Sequence, residues 1–261
     1  MLEKVDLSLS LSKEKYKEKI DRLGPTLGLL QRSCWEHGIP VMIVFEGWDA
    51  SGKGTSINFL AQQMDPRGFK IHPIKGATDE EAQMPWLWRF WLRIPNYGEV
   101  AIFDRSWYGR VVVERVEKIT AEALWQHAYT DIIEFERTLA EDGYVIIKFF
   151  LHISKKEQKR RFDNLLKDPL QSWRVAPEDK EHHRKYNQYL VAIEEMLAHT
   201  ETEWAPWTIV EATDRRWSRV KIIETTCQRM EEALLQRGYT PPPLPVAVAS
   251  GDPQSVAIEE E

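Results

Sequence analysis

Residues 40–54 read PVMIVFEGWDASGKG, and the order of residue types within them decides the fold. Pro40–Glu46 is a near-continuous run of Val, Ile, Met and Phe, which suits a strand covered on both faces. Gly47-Trp-Asp-Ala-Ser-Gly52-Lys53-Gly54 follows at once and fits the G-x-x-x-x-G-K core of a P-loop, with a helical pattern beginning near Thr55. Glycines at 47, 52 and 54 permit backbone angles closed to other residues and let an anion come close. The N–H groups from Ala50 and Ser51 through Gly52, Gly54 and Thr55 then converge on phosphate oxygens at a helix N-terminus, where the helix dipole favours negative charge. Lys53 adds a point charge for a transferring phosphoryl group. The residue after the lysine is usually Ser or Thr, whose hydroxyl holds magnesium. Here it is Gly54, and Asp49 inside the loop is the hard oxygen donor that can replace the missing ligand. A chance glycine-rich turn would lack the strand before it and the helix after it.

Outward from this unit, four further apolar runs read as buried strands: Phe69–Ile74, Val100–Asp104, Tyr144–His152 and Trp207–Glu211. Helical patterns separate them over 55–64, 79–92, 120–141, 177–199 and 217–237. Strand–helix alternation predicts an α/β domain, a three-layer α/β/α sandwich on a five-stranded parallel sheet, of P-loop kinase type with a helical lid. We expect a helical segment over 1–39 ahead of a phosphotransferase domain over 40–239. Gly24-Pro25 should split or kink the first helix, because proline removes a rung of the helix ladder. From 240 to 261 the chain is rich in Pro, then in small and acidic residues, which predicts a mostly disordered tail.

The second signature is Val100-Ala-Ile-Phe-Asp104, four apolar residues ending in a carboxylate. It places Asp104 beside the P-loop, as a second acid for the metal. Arg105 follows, and Arg110 comes five residues later; either can neutralise phosphoryl charge, or be an ordinary surface salt bridge. Lys75, just past the second strand, belongs to the same carboxyl edge of the sheet, where ligands bind in open α/β folds. Between Lys155 and Arg174 there are seven Lys/Arg against three Asp/Glu. A solvated helix face is the plain reading of such a run. Beside a phosphate site it becomes a lid, spanning about 155–180, that closes with Arg160 and Arg161.

Composition narrows the function further. The net charge of −6 argues against a nucleic-acid binder. No uncharged apolar run approaches the roughly 18 residues of a membrane span, and the N-terminus lacks the apolar stretch of a secretory signal. Two cysteines, Cys34 and Cys227, have no metal-ligand spacing and suit a reducing cytoplasm. Eleven tryptophans are read as packing anchors rather than catalytic groups.

Taken together, Gly47–Gly54, Phe103-Asp-Arg-Ser-Trp-Tyr-Gly-Arg110, Val113-Glu-Arg-Val116, and Leu151-His-Ile-Ser with Glu157-Gln158 and Arg161-Phe162 resemble the family-2 polyphosphate kinases. Ala205-Pro-Trp-Thr, Glu211-Ala, Asp214-Arg and Arg219-Val-Lys fit as well, and the similarity runs from about Ser12 to Arg237. The resemblance implies phosphoryl transfer between inorganic polyphosphate and a nucleotide, with Mg²⁺ as cofactor. It matches Asp49 and Asp104 to the metal-handling acids, and Lys53, Arg105 and Arg110 to the phosphate-binding bases. The stretch around Arg160 and Arg161 matches the lid. We also expect a homo-oligomer. The segment Trp107–Val116 looks most like the members that phosphorylate AMP, although several of those carry two fused copies of the domain and this chain has one, so ADP stays open. Two rivals share parts of the pattern: an ATP-dependent nucleoside monophosphate kinase of thymidylate-kinase type, disfavoured by Gly54, and a non-catalytic nucleotide-binding switch, disfavoured by the paired arginines.

Overall fold

Strand β1 spans Val41–Gly47, and its first five residues are buried. A strand that buries successive residues exposes neither face to water, so both neighbours and both covering layers are required. The computed structural model describes residues 2–243. The other strands are β2 (Phe69–Pro73), β3 (Val100–Asp104), β4 (Val145–His152) and β5 (Trp207–Glu211). All pair in parallel, in the order β2-β3-β1-β4-β5. The register sets Phe45 beside Asp104 on one side of β1 and Gly47 beside Leu151 on the other. The two phosphate-site signatures therefore emerge side by side at the carboxyl edge of the sheet.

Among the described residues the helices are α1 (Lys13–Glu36), α2 (Lys53–Ala61), α3 (Trp88–Trp91), α4 (Val113–Val116), α5 (Glu122–Glu141), α6 (Lys155–Lys167), α7 (Pro177–Arg184), α8 (Tyr186–His199) and α9 (Arg215–Gln236). Helices α1 and α2 pack on α9, which lies against β4 and β5, while α4 packs with α5 and α8. Helix α5 also meets β4, every residue of which is buried, as the middle layer of a sandwich requires. No helix of the described residues is long and apolar enough to cross a membrane.

One charged cluster is sealed inside this core. Lys148 of β4 is 0% exposed and donates to Glu136 Oε2 (2.8 Å), Tyr108 OH (2.9 Å) and the Thr200 carbonyl (2.9 Å). Glu136 Oε1 accepts from Trp107 Nε1 at 3.0 Å and from Tyr108 OH at 2.5 Å. All three ammonium N–H groups are used, and this is how a buried ion pair becomes tolerable. Trp107 and Tyr108 follow the Asp104-Arg105 turn with only Ser106 between, so the network ties that turn to the core.

Three sequence expectations are corrected. Helix α1 runs through Pro25 as one helix, so the expected split into two does not occur. Its buried stripe of Leu23, Leu27, Leu30 and Cys34 packs in the core, and Thr26 Oγ1 bonds the Arg22 carbonyl beside the missing rung (2.9 Å). Tertiary packing outweighs the local cost of the proline. The expected helix over 79–92 is instead a 3-10 turn at Glu81–Gln83 and the short α3. Pro85 drives Met84 to an extended conformation (φ −108°, ψ 161°) and breaks the run between them. The pattern over 177–199 divides into α7 and α8 at Lys185, which is anchored by Glu117 at 2.5 Å. Of the expected tail, all beyond residue 243 lies outside the described residues.

Candidate active site

The P-loop follows from the end of β1. Gly47 has φ +140°, and a Cβ there would sit 2.4 Å from the Leu151 carbonyl oxygen, so only glycine lets the chain leave the sheet here. Ala50 and Gly52 are left-handed at φ 59° and 104°. Trp48 is fixed from below: its Nε1 donates to His152 Nδ1 at 2.9 Å, and its ring stacks on Tyr186 at 4.0 Å. Helix α2 begins at Lys53 with Gly52 as its cap, so the first N–H groups of α2 have no intrahelical partner and are available to an anion. Ser51 N–H differs from the sequence reading, because it closes a turn on the Trp48 carbonyl (3.1 Å). Ser51 Oγ is buried without a hydrogen-bond partner among the described residues.

A cleft of about 710 Å³ opens beside this loop. Asp49, Ala50, Gly52, Lys53, Gly54 and Thr55 line it from the P-loop, and Asp104 and Arg105 from the end of β3. Arg160, Arg161, Arg174, Arg215 and Arg216 line it from α6, the segment after α6, and the start of α9. Seven cations thus face four carboxylates, Asp49, Asp104, Asp179 and Asp214. A chain of net charge −6 has concentrated positive charge at one place.

Lys53 is 8% exposed and donates to the carbonyls of Gly47 (2.8 Å) and Trp48 (3.1 Å). Burial, followed by the charge of Arg105, lowers its pKa. Asp49 accepts from Arg105 at 2.6 Å and pairs with His182 Nδ1 at 2.8 Å. Burial alone would raise the Asp49 carboxyl, but the His182 hydrogen bond and the charges of Arg105 and Lys53 outweigh it and hold it below the usual carboxylate range. The same hydrogen bond raises His182. Arg105 has φ 65°, a left-handed angle uncommon outside glycine. Its N–H bonds the Phe45 carbonyl (3.0 Å), and Ser106 Oγ donates to Glu46 Oε1 (2.8 Å). Both contacts hold the strained turn against the end of β1.

Asp104 makes no side-chain hydrogen bond or ion pair among the described residues, and a Cβ on Gly54 would come 3.9 Å from its Oδ2. The omitted Ser/Thr side chain at position 54 would have faced that carboxylate. Asp49 and Asp104 are hard oxygen donors lining one cleft with the P-loop, a donor set that fits Mg²⁺. Asp49, Asp179 and His182 also bring ligand atoms within 4.8 Å of one another, but an imidazole nitrogen suits magnesium less well than oxygen.

The structure leaves two expected residues outside this cleft. Lys75 is exposed, and among the described residues its hydrogen bond is through its carbonyl, which accepts from Arg89 (2.9 Å). It follows the edge strand β2, which β3 separates from the P-loop strand. Arg110 donates to Glu114 and Thr120, each at 2.6 Å, and lies 5.0 Å from the Trp86 ring. Arg160 lines the cleft and pairs with Glu157 at 2.7 Å. Arg161 also lines it, but donates to the carbonyls of Ala50, Ser51, Ala212 and Thr213.

Sequence reading missed Asp179, His182, Arg174, Arg215, Arg216 and Glu46. Asp214-Arg215 and Glu157-Gln158 carried a signal, since both belong to the matched motifs. His182 carried none, because it reaches Asp49 from α7, 133 positions away.

Comparison with known proteins agrees with this geometry. A polyphosphate:AMP phosphotransferase of Pseudomonas syringae pv. tomato is 42% identical over 235 residues, which cover 89% of this chain and 47% of that protein. An ADP-polyphosphate phosphotransferase of Pseudomonas aeruginosa is 35% identical over 228 residues, 87% of this chain and 75% of that one. The crystal structure of polyphosphate kinase 2 from Arthrobacter aurescens superposes with a TM-score of 0.85 at 29% identity, covering 97% of this chain and 89% of its own. The chain spans about half the length of the polyphosphate:AMP phosphotransferases it matches. The polyphosphate kinase 2 family model matches residues 10–238, and with the P-loop, the Asp104-Arg105 turn and the parallel sheet in place, the chain belongs to that family.

Proposed function

We propose that this protein transfers a phosphoryl group between inorganic polyphosphate and a nucleotide, with AMP as the preferred acceptor and ADP as the product. The observation that carries the reading is the charge layout of the cleft. Lys53 and Arg105 stand beside two carboxylates at the P-loop, and four further arginines, at 160, 174, 215 and 216, extend the positive lining. Polyphosphate carries roughly one negative charge per residue and no base, so a positively lined cleft suffices as its donor site. An acceptor phosphate oxygen attacks the terminal phosphorus in line, and the bond to the shortened polyphosphate breaks. The attacking oxygen is already anionic near neutral pH, so no general base is needed, and the protein's work is alignment and charge neutralisation. Lys53 and the first N–H groups of α2 would hold the transferring group, and Arg105 would offset its charge. Mg²⁺, held by Asp49 and Asp104, would supply further electrostatic stabilisation of the phosphoryl oxygens.

AMP as acceptor is supported by the Trp107–Val116 segment and by the names of the relatives at 42% identity. We further propose that the protein acts in the cytoplasm as a homo-oligomer. Incubation with Mg²⁺, long-chain polyphosphate and each of AMP, ADP, GMP and CMP, with products resolved by anion exchange, tests the reading. Conversion of AMP to ADP with polyphosphate but not with ATP is expected. Efficient use of ATP in place of polyphosphate would overturn the donor. ADP consumption ten times faster than AMP at equal subsaturating concentrations would overturn the acceptor alone.

A further inference from the structure

We propose that Arg161 is a positioning residue that sets the peptide planes of the P-loop, and that it is not a ligand of the phosphate. This rests on the phosphotransfer reading of the cleft. The argument is a donor count. A guanidinium has five N–H groups. In Arg161, Nε donates to Glu157 Oε1 (2.7 Å), Nη1 to the carbonyls of Ala50 (3.0 Å) and Ser51 (2.8 Å), and Nη2 to those of Ala212 (2.6 Å) and Thr213 (3.1 Å). Every donor is spent inside the protein. One planar group thereby joins three walls of the cleft: α6, the P-loop, and the turn between β5 and the Asp214 cap of α9.

The two P-loop contacts have a directional consequence. In a planar trans peptide the C=O and the following N–H point in opposite directions. Holding the Ser51 carbonyl on Arg161 turns the Gly52 N–H away from Arg161. Holding the Ala50 carbonyl stabilises a residue that has φ 59° and is not glycine, a conformation that persists only where its surroundings over-determine it. Gln158, 1% exposed, adds to the clamp by donating from Nε2 to the Asp49 carbonyl (3.2 Å) while its Oε1 meets His183 Nδ1 (2.7 Å). Lysine cannot substitute, because an ammonium lacks the fork that reaches two carbonyls on each of two segments. Arg160 is the internal contrast: it has the same charge and the same helix and cleft, but its side chain is 61% exposed and, among the described residues, bonds Glu157 alone.

The test compares Arg161→Lys and Arg161→Met with Arg160→Met in the full chain. A positioning role predicts that Arg161→Lys, although it keeps the charge, lowers kcat by roughly 100-fold, the scale of a misplaced electrostatic donor set. The dependence of the polyphosphate KM on salt should stay as in the unsubstituted protein. Amide hydrogen exchange of the 49–55 peptide, measured without substrate, should speed up by roughly tenfold as the loop opens locally. Arg160→Met should instead raise the polyphosphate KM, flatten its salt dependence and leave loop exchange unchanged. If either Arg161 variant does not fold, Glu157→Gln, which weakens the Nε anchor of Arg161 and also releases Arg160, should still accelerate exchange in the same peptide, where Arg160→Met does not. The proposal is overturned if Arg161→Lys keeps most of its activity while Arg161→Met raises KM and flattens the salt dependence. It is equally overturned if loop exchange is unchanged in the Arg161 variants. The exchange readout does not depend on which substrate the cleft takes. A chain inactive with polyphosphate therefore defeats the functional reading alone.

Discussion

His152 sits on β4 directly under the P-loop and is 6% exposed. It accepts a hydrogen bond from Trp48 Nε1 through Nδ1, so the ring is neutral with its proton on Nε2. Burial pushes the imidazole down from 6.5 to about 4, against the pull of Glu194 and Glu211. The sign is fixed by proton counts. Between these two values the unfolded chain binds a proton that the folded chain refuses, so stability falls as pH drops from 6.5 toward 4 and levels off below. The whole step is worth about 3 kcal/mol at roughly 1.4 kcal/mol per pH step between the two values, and the part between pH 7 and pH 5 is about 2 kcal/mol. His152→Gln keeps an acceptor for Trp48 and removes the titration. Urea denaturation followed by tryptophan fluorescence at pH 7 and pH 5 should show the native protein losing about 2 kcal/mol more than the variant. Equal losses in the two proteins would refute the reasoning. Because Trp48 is itself a P-loop residue, protonation of His152 also withdraws the acceptor that holds the loop, and activity should decline over the same interval.

Other perturbations follow from the geometry. Gly47→Ala places a methyl 2.4 Å from the Leu151 carbonyl at φ +140°, and should cost roughly 3 kcal/mol or more and abolish turnover, read by thermal melting and initial rates. Glu136→Gln leaves the Lys148 ammonium buried without its counter-charge and should destabilise by about 3–5 kcal/mol, whereas adding Lys148→Met to it should recover much of the loss; additivity of the two changes would show that the pair is not coupled. Lys53→Ala and Asp104→Asn should each lower kcat by about 100-fold or more in proteins that melt normally, and near-normal rates would remove either residue from the reaction.

The amino-acid sequence by itself determined the elements whose causes are local. The apolar runs of β1, β3 and β4, the glycines at 47, 52 and 54, Asp49 inside the P-loop and Asp104 at the end of β3 are properties of short windows, because strand patterning and loop backbone angles depend on neighbours within a few residues. Asp49, Lys53, Asp104 and Arg105 were legible for that reason, and sheet register then carried them to one edge. Tertiary structure decided everything that depends on distant partners. Pro25 reads as a helix breaker, yet the apolar stripe of α1 in the core carries the helix through it. Lys75 and Arg110 read as site residues, yet strand order leaves Lys75 outside the cleft, and the side chain of Arg110 is engaged by Glu114 and Thr120 instead. Arg161 reads as a phosphate ligand, yet its guanidinium meets carbonyls 110, 111, 51 and 52 positions away. A residue's type states how many hydrogen bonds it can make, and only the folded chain says which atoms take them.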